Sequence, residues 1–280
     1  MPTARTGDIQ TFYEDESPAG AGHHAAAVLV HGHSADHRIW HYQAPALAQA
    51  GYRCVRYDVR GHGRSSVTED GYTWEQYSAD LFALLNHLQI SEAHLAGSSM
   101  GGGIALQFAI DHPERTASLT LIDSALPGFT YSDEFTAQIE QLVEAVRSKG
   151  AREAFERLWL EHPFFDGVRR FPERFGMLRD IVLEYPAADY RDGAVPEGYQ
   201  PTTTDHLYEI AAPVLVIAGE HDIPDFRLVA DLLAANLPNA RQLVMPDCWH
   251  LPMLEHPAEF NAALIEFLDG PVDSLPRRLC

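Results

Sequence analysis

Two adjacent serines, Ser98 and Ser99, stand inside the run AGSSMGGG. A serine hydroxyl is a weak nucleophile until a base takes its proton and a third group orients that base. The spacing G-x-S-x-G selects one of the two. Gly97-Ser98-Ser99-Met100-Gly101 centres on Ser99, whereas centring on Ser98 would need glycines where Ala96 and Met100 stand. An apolar run precedes the motif and Ile104-Ala105-Leu106-Gln107-Phe108-Ala109 follows it, so the chain reads strand, turn, helix. A sharp turn of that kind needs small residues two positions either side of its centre. It lifts the central side chain clear of the sheet and aims the next backbone N–H, from Met100, at the same point.

The acid and base are sought downstream, each at the end of a strand. Asp222 closes Gly219-Glu220-His221-Asp222 after the apolar run 214–218, with Glu220 as its near rival. His250 lies in Met245-Pro246-Asp247-Cys248-Trp249-His250-Leu251-Pro252, where two prolines favour a loop. His221 sits beside the acid and would share its turn. His112 precedes Pro113 at a helix end, and His256 falls near the start of the last helix. A second backbone donor for a developing oxyanion is placed at His33, in the loop His31-Gly32-His33-Ser34.

Two decoys are set aside. His31-Gly32-His33-Ser34-Ala35-Asp36-His37 approximates an H-x-H-x-D-H zinc motif but has one residue too many before the aspartate, so no metal is expected. Neither G-x-G-x-x-G nor G-K-[ST] occurs, which removes the nucleotide fingerprints.

The elements that position these residues follow from the hydrophobic pattern. Buried strands are expected at 26–30, 52–58, 93–96, 119–122, 214–218 and 243–245, with an edge strand at 9–13. Helical periodicity fills 74–88, 102–111, 227–237 and 257–268. Strands alternating with helices imply an α/β fold with a mostly parallel central sheet flanked by helices. The alternation stops in a helical, aromatic-rich stretch with helices expected at 134–149, 151–161 and 173–185. It reads as an inserted helical cap, 127–205, within a core made of 1–126 and 206–280; an independent helical domain is the other reading. Trp159, Phe164 and Phe165 are candidates to line an apolar pocket, or equally to pack cap on core. The stretch 270–280 is expected to be a loose tail.

The bulk numbers exclude several classes. The 280-residue chain has 20 basic and 40 acidic residues, a net charge of −20 that repels nucleic acid and anionic membranes. Its apolar runs are too short to span a bilayer, and the N-terminus shows no signal peptide. Cys54, Cys248 and Cys280 are odd in number and widely spaced, so a reducing, cytoplasmic setting is expected.

Taken together, His31-Gly32, Asp58-Val59-Arg60-Gly61-His62-Gly63-Arg64-Ser65, Gly97-Ser98-Ser99-Met100-Gly101-Gly102, Gly219-Glu220-His221-Asp222 and His250 with Glu255 and Pro257 resemble the α/β-hydrolase family over nearly the whole chain. Within it the chain is similar to small bacterial carboxylesterases and 3-oxoadipate enol-lactonase-like enzymes. The resemblance implies an α/β-hydrolase fold and a cofactor-free serine hydrolase acting on a small ester or lactone. Its catalytic residues would be Ser99, Asp222 and His250, with oxyanion donors at His33 and Met100. Trp249 departs from the family, where glycine often precedes the histidine, and is expected either to narrow the pocket or to alter the loop. A carbon–carbon bond hydrolase, a cofactor-free perhydrolase and a non-catalytic ligand-binding module stay open, as does a homodimer.

Overall fold

Two strands of the sheet are apolar along their whole length rather than alternating. Ala26–Val30 (β3) and Val214–Gly219 (β7) are buried at every position, as strands covered on both faces must be. The computed structural model describes residues 2–18 and 24–270. The other strands are Thr3–Thr6 (β1), Ile9–Glu16 (β2), Arg53–Tyr57 (β4), Ala93–Ser98 (β5), Thr116–Ile122 (β6) and Ala240–Met245 (β8). They form one sheet in the order β1-β2-β4-β3-β5-β6-β7-β8. From β4 to β8 every pairing is parallel; β1 and β2 join antiparallel at one margin.

That margin corrects the expectation for 9–13. β2 is not the edge, because β1 covers its outer side. β1 has the sequence TART, which lacks an apolar run. Ala4 and Thr6 turn inward and the strand is closed by a hairpin at Gly7, whose φ of 62° suits glycine. At the opposite edge β8 begins three residues before the apolar segment 243–245, since half-exposed Ala240, Arg241 and Gln242 pair with β7.

The flanking helices are Gln43–Gln49 (α1), Trp74–His87 (α2), Met100–Asp111 (α3), Pro224–Asn236 (α8), Pro252–Glu255 (α9) and Pro257–Asp269 (α10). α1 has only seven residues and carries Pro45 in its first turn, which hides it from a periodicity reading. Between β6 and β7 the chain leaves the sheet for Asp133–Lys149 (α4), Ala151–Arg157 (α5), Asp166–Arg169 (α6) and Pro172–Leu183 (α7), linked by short 3-10 turns. The helix expected over 151–161 stops at Arg157, and Trp159–Glu161 is a 3-10 turn.

Phe155, Trp159, Phe164 and Val168 of this helical segment share one apolar cluster with Ile122 and Leu215 of the sheet and Phe226 of α8. Polar contacts add to that seam: Trp159 Nε1 donates to Ser34 Oγ at 2.7 Å, and Ser132 Oγ to Asp225 at 2.8 Å. Among the described residues no helix is long and apolar enough to cross a membrane. The expected tail lies outside the described residues except for Gly270, and Cys280 lies outside them altogether. Cys54 and Cys248 are buried free thiols.

Candidate active site

The turn from β5 into α3 is built by exclusion. A Cβ on Gly97 would overlap the Gly101 carbonyl, and one on Gly101 would overlap the Val30 carbonyl. With both positions bare, strand and helix approach closely enough to force Ser99 to φ 52°, ψ −119°. That backbone is unfavourable for a side-chain-bearing residue, and its neighbours hold it there. The Ser99 N–H donates to the Ile122 carbonyl at 2.9 Å, and the Ser99 carbonyl accepts from Gly102, Gly103 and Ala125. Ser99 is half-buried and lines a cavity. Ser98 is fully buried, its Oγ without a partner.

Met100 is the first residue of α3, so its N–H is one of those a helix start leaves unspent. The His33 N–H enters none of the turn or loop backbone hydrogen bonds. Gly32 brings the His33 loop against the turn, with an added Cβ falling 3.2 Å from the Ser99 Cβ. The helix dipole adds positive potential at the same point.

Asp222 and His250 come from the loops after β7 and β8. His250 Nδ1 and Asp222 Oδ2 are 2.7 Å apart with both side chains buried, and Asp222 Oδ1 accepts the Ile223 N–H at 2.8 Å. The two loops pack against each other: the His221 N–H donates to the Cys248 carbonyl at 2.8 Å, and a Cβ on Gly219 would overlap the Trp249 carbonyl. Burial acts on both members of the pair toward their neutral forms. It pushes the Asp222 carboxyl up and the His250 imidazole down from their ordinary values. Phe164 stacks on the His250 ring at 3.8 Å and Phe226 meets it edge-on at 4.7 Å.

Ser99, His250, His33, Met100, Trp159, Phe164 and Phe165 all line one cavity of about 460 Å³. Trp249 does not. It turns the other way, against His221 at 4.7 Å and under the Arg170 guanidinium, while its N–H donates to Glu255. The expectation that Trp249 narrows the pocket is therefore corrected. Glu220 is half-exposed and accepts the Asp247 N–H at 3.0 Å, and His221, His112 and His256 lie outside the cavity.

The histidine-rich loop disperses its side chains. His31 Nε2 accepts the Val59 N–H at 2.9 Å, His33 faces Asp189 at 3.3 Å, Asp36 pairs with Arg38, and His37 Nδ1 bonds Asp58 at 2.6 Å. Asp36, His37 and Asp58 do cluster, yet Asp58 accepts from the backbone N–H groups of His37 and Arg64 as well. It braces the turn that follows β4.

Three roles escape the sequence reading, although Glu255 itself is among the residues that carry the resemblance. Asp123, at the end of β6, is fully buried beside Asp222 and His250. The rule that found Asp222, an acid at a strand's carboxyl end, applies to it equally. Glu255 accepts the N–H groups of Trp249 and Leu251, at 2.7 and 3.0 Å, and so clamps both sides of His250. Finally, Tyr131, Phe135 and Phe226 join the cavity wall, which no local pattern reveals.

Residues 27–257 match the family model described as the alpha/beta hydrolase fold. The chain belongs to the α/β-hydrolase family. It is an enzyme of that superfamily, a hydrolase. This α/β-hydrolase is 30% identical over 271 residues to a 2-hydroxy-6-oxononadienedioate/2-hydroxy-6-oxononatrienedioate hydrolase of Burkholderia vietnamiensis, covering 93% of this chain and 91% of the other. It is 29% identical to a thermophilic esterase from Thermogutta terrifontis, with a TM-score of 0.80 and coverage of 95% and 96%. An enol-lactonase from Burkholderia xenovorans LB400 shares the fold at a TM-score of 0.84 and 24% identity, over 96% of this α/β-hydrolase and 100% of that chain.

Proposed function

We propose that the protein is a serine hydrolase that cleaves a carboxylic ester or lactone of a small, largely apolar substrate through an acyl-enzyme on Ser99. The observation that carries this reading is the strained Ser99 at the start of α3, facing a cavity it shares with His250, whose Nδ1 is engaged by Asp222. With Nδ1 engaged, Nε2 is the ring nitrogen left for proton transfer.

His250 takes the Ser99 proton at Nε2 as Oγ attacks the carbonyl carbon. The carbonyl oxygen gathers negative charge and accepts from the N–H groups of Met100 and His33. His250 gives its proton to the leaving alkoxide, and the carbon–oxygen bond breaks. A water then loses a proton to His250 and attacks the acyl carbon, and Ser99 departs with that proton. The cavity walls Trp159, Phe164, Phe165 and Phe226 supply apolar contact, and His33 with Asp189 forms its polar corner.

The test is hydrolysis of a short p-nitrophenyl ester. Ser99→Ala abolishes it, and a fluorophosphonate probe labels wild type but not this variant. Ser98→Ala keeps most of the activity. Equal loss from both substitutions overturns the reading, and a probe that fails to label Ser99 in wild type favours a binding module. The relative named as a hydrolase of an oxo-diene diacid supports carbon–carbon cleavage as a second reading. Product analysis with a ring-cleavage diketone separates the two.

A further inference from the structure

Three titratable side chains meet at the carboxyl ends of β6, β7 and β8, where the proposed chemistry uses two. A carboxyl oxygen of Asp123, one of Asp222 and a ring nitrogen of His250 all lie within 4.8 Å of one another, and all three residues are buried. Asp123 is held firmly. Its N–H donates to the Ile217 carbonyl at 2.9 Å, its Oδ1 accepts the Gly219 N–H at 2.9 Å, and its φ is 39°. Oδ2 is buried and receives no donor.

The surrounding charges do not neutralise a second carboxylate. Asp222 comes from the loop after β7 and feels Arg227 of α8 through space. Cys248, His250 and Glu255 come from the segment after β8, and His162 faces His250 from the helical segment. Two ionised carboxyls side by side in such a site repel strongly, so one of them keeps a proton.

We propose that Asp123 is a positioning residue: it stays protonated and donates a hydrogen bond from Oδ2 to the Asp222 carboxylate, fixing the oxygen that Asp222 presents to His250 Nδ1. The inference rests on the assignment of Ser99, Asp222 and His250 as the reacting set. The proton gives the orphaned Oδ2 its partner and gives Asp222 a third donor beside Ile223 and His250. The electrostatics agree in direction. Burial, and then the charge of Asp222, push Asp123 well above the carboxylate range, while a hydrogen bond from Asp123 pulls Asp222 back against its burial.

The test uses the whole protein and the same p-nitrophenyl ester. Asp123→Ala lowers kcat about 10- to 100-fold with KM little changed, the worth of one hydrogen bond to a charged group. Asp123→Asn presents an amide N–H in place of the acid O–H, restores most of that loss and leaves the acid limb of the pH profile in its wild-type place. Were Asp123 a carboxylate, the asparagine would erase a negative charge beside His250 and shift the acid limb to lower pH; that result, or failure of the rescue, overturns the proposal. Infrared spectroscopy at neutral pH provides a readout that does not depend on activity. A protonated-carboxyl C=O band is expected in wild type and is lost in Asp123→Asn; its absence from wild type overturns the proposal. So does one equivalent of divalent metal in the dialysed protein, which would mean that an ion rather than a proton joins the three groups. An inactive Ser99→Ala with no infrared band sinks this inference alone, whereas an active Ser99→Ala sinks the assignment beneath it.

Discussion

At the residue scale, the geometry of the histidine depends on an acid that never meets substrate. Glu255 spans the backbone on both sides of His250 with two accepted hydrogen bonds. Burial raises its carboxyl above the usual range, and those two N–H groups pull it back down. Glu255→Gln keeps one acceptor and turns an NH2 toward the other N–H. The expected cost is about 1–3 kcal/mol of stability, with kcat falling about tenfold as the loop loosens; urea unfolding and steady-state kinetics on the ester check both. The tight turn at Ser99 was legible in five residues, because glycine spacing is local sterics. The clamp was not, because its partners are backbone groups that meet Glu255 only after α9 forms.

At the element scale, the β5–α3 turn leaves no room for a side chain at Gly97 or Gly101. Its glycines face backbone carbonyls, which cannot swing aside as a side chain can. Gly101→Ala must therefore push α3 off β3 and spoil the Ser99 conformation. Loss of about 1–3 kcal/mol or more is expected, along with fluorophosphonate labelling, whereas Gly176→Ala, where a Cβ meets open space within α7, keeps both. Thermal melts and labelling of the two variants side by side test this. The parallel strands β3 and β7 were readable from their unbroken apolar runs. β1, α1 and the first half of β8 were not, since an edge strand or a seven-residue helix buries too little to leave a pattern.

At the scale of the whole molecule, buried histidines make stability depend on pH. His62 is fully buried, stacked on Tyr185 at 4.5 Å, and burial followed by the nearby His31 lowers it to about 3. Its unfolded value is about 6.5, so as pH falls below that the unfolded chain takes up a proton the fold refuses. The contribution is present above about pH 6.5 and is lost as pH falls toward 3. His162, lowered to about 4 mainly by burial, adds to it. Asp123 and Asp222 act in the opposite direction, because their raised values let the fold keep protons that the unfolded chain releases. The readout is therefore a difference: His62→Phe, which keeps the stacking, flattens the fall of the urea midpoint between about pH 6.5 and 4 relative to wild type. Equal slopes would show that His62 is charged or exposed in the fold.

The sequence by itself determined the α/β alternation and the strand-to-helix turn at Ser99, because each is a matter of short-range sterics or of hydrophobic period. Only the tertiary structure decided which side chains share the cavity. It sent Trp249 outward, laid Phe164 on His250 and brought Asp123 against Asp222. Those placements depend on which loops pack together at the carboxyl edge of the sheet. Residues 123, 164, 222 and 250 lie far apart along the chain, and no local pattern encodes their meeting.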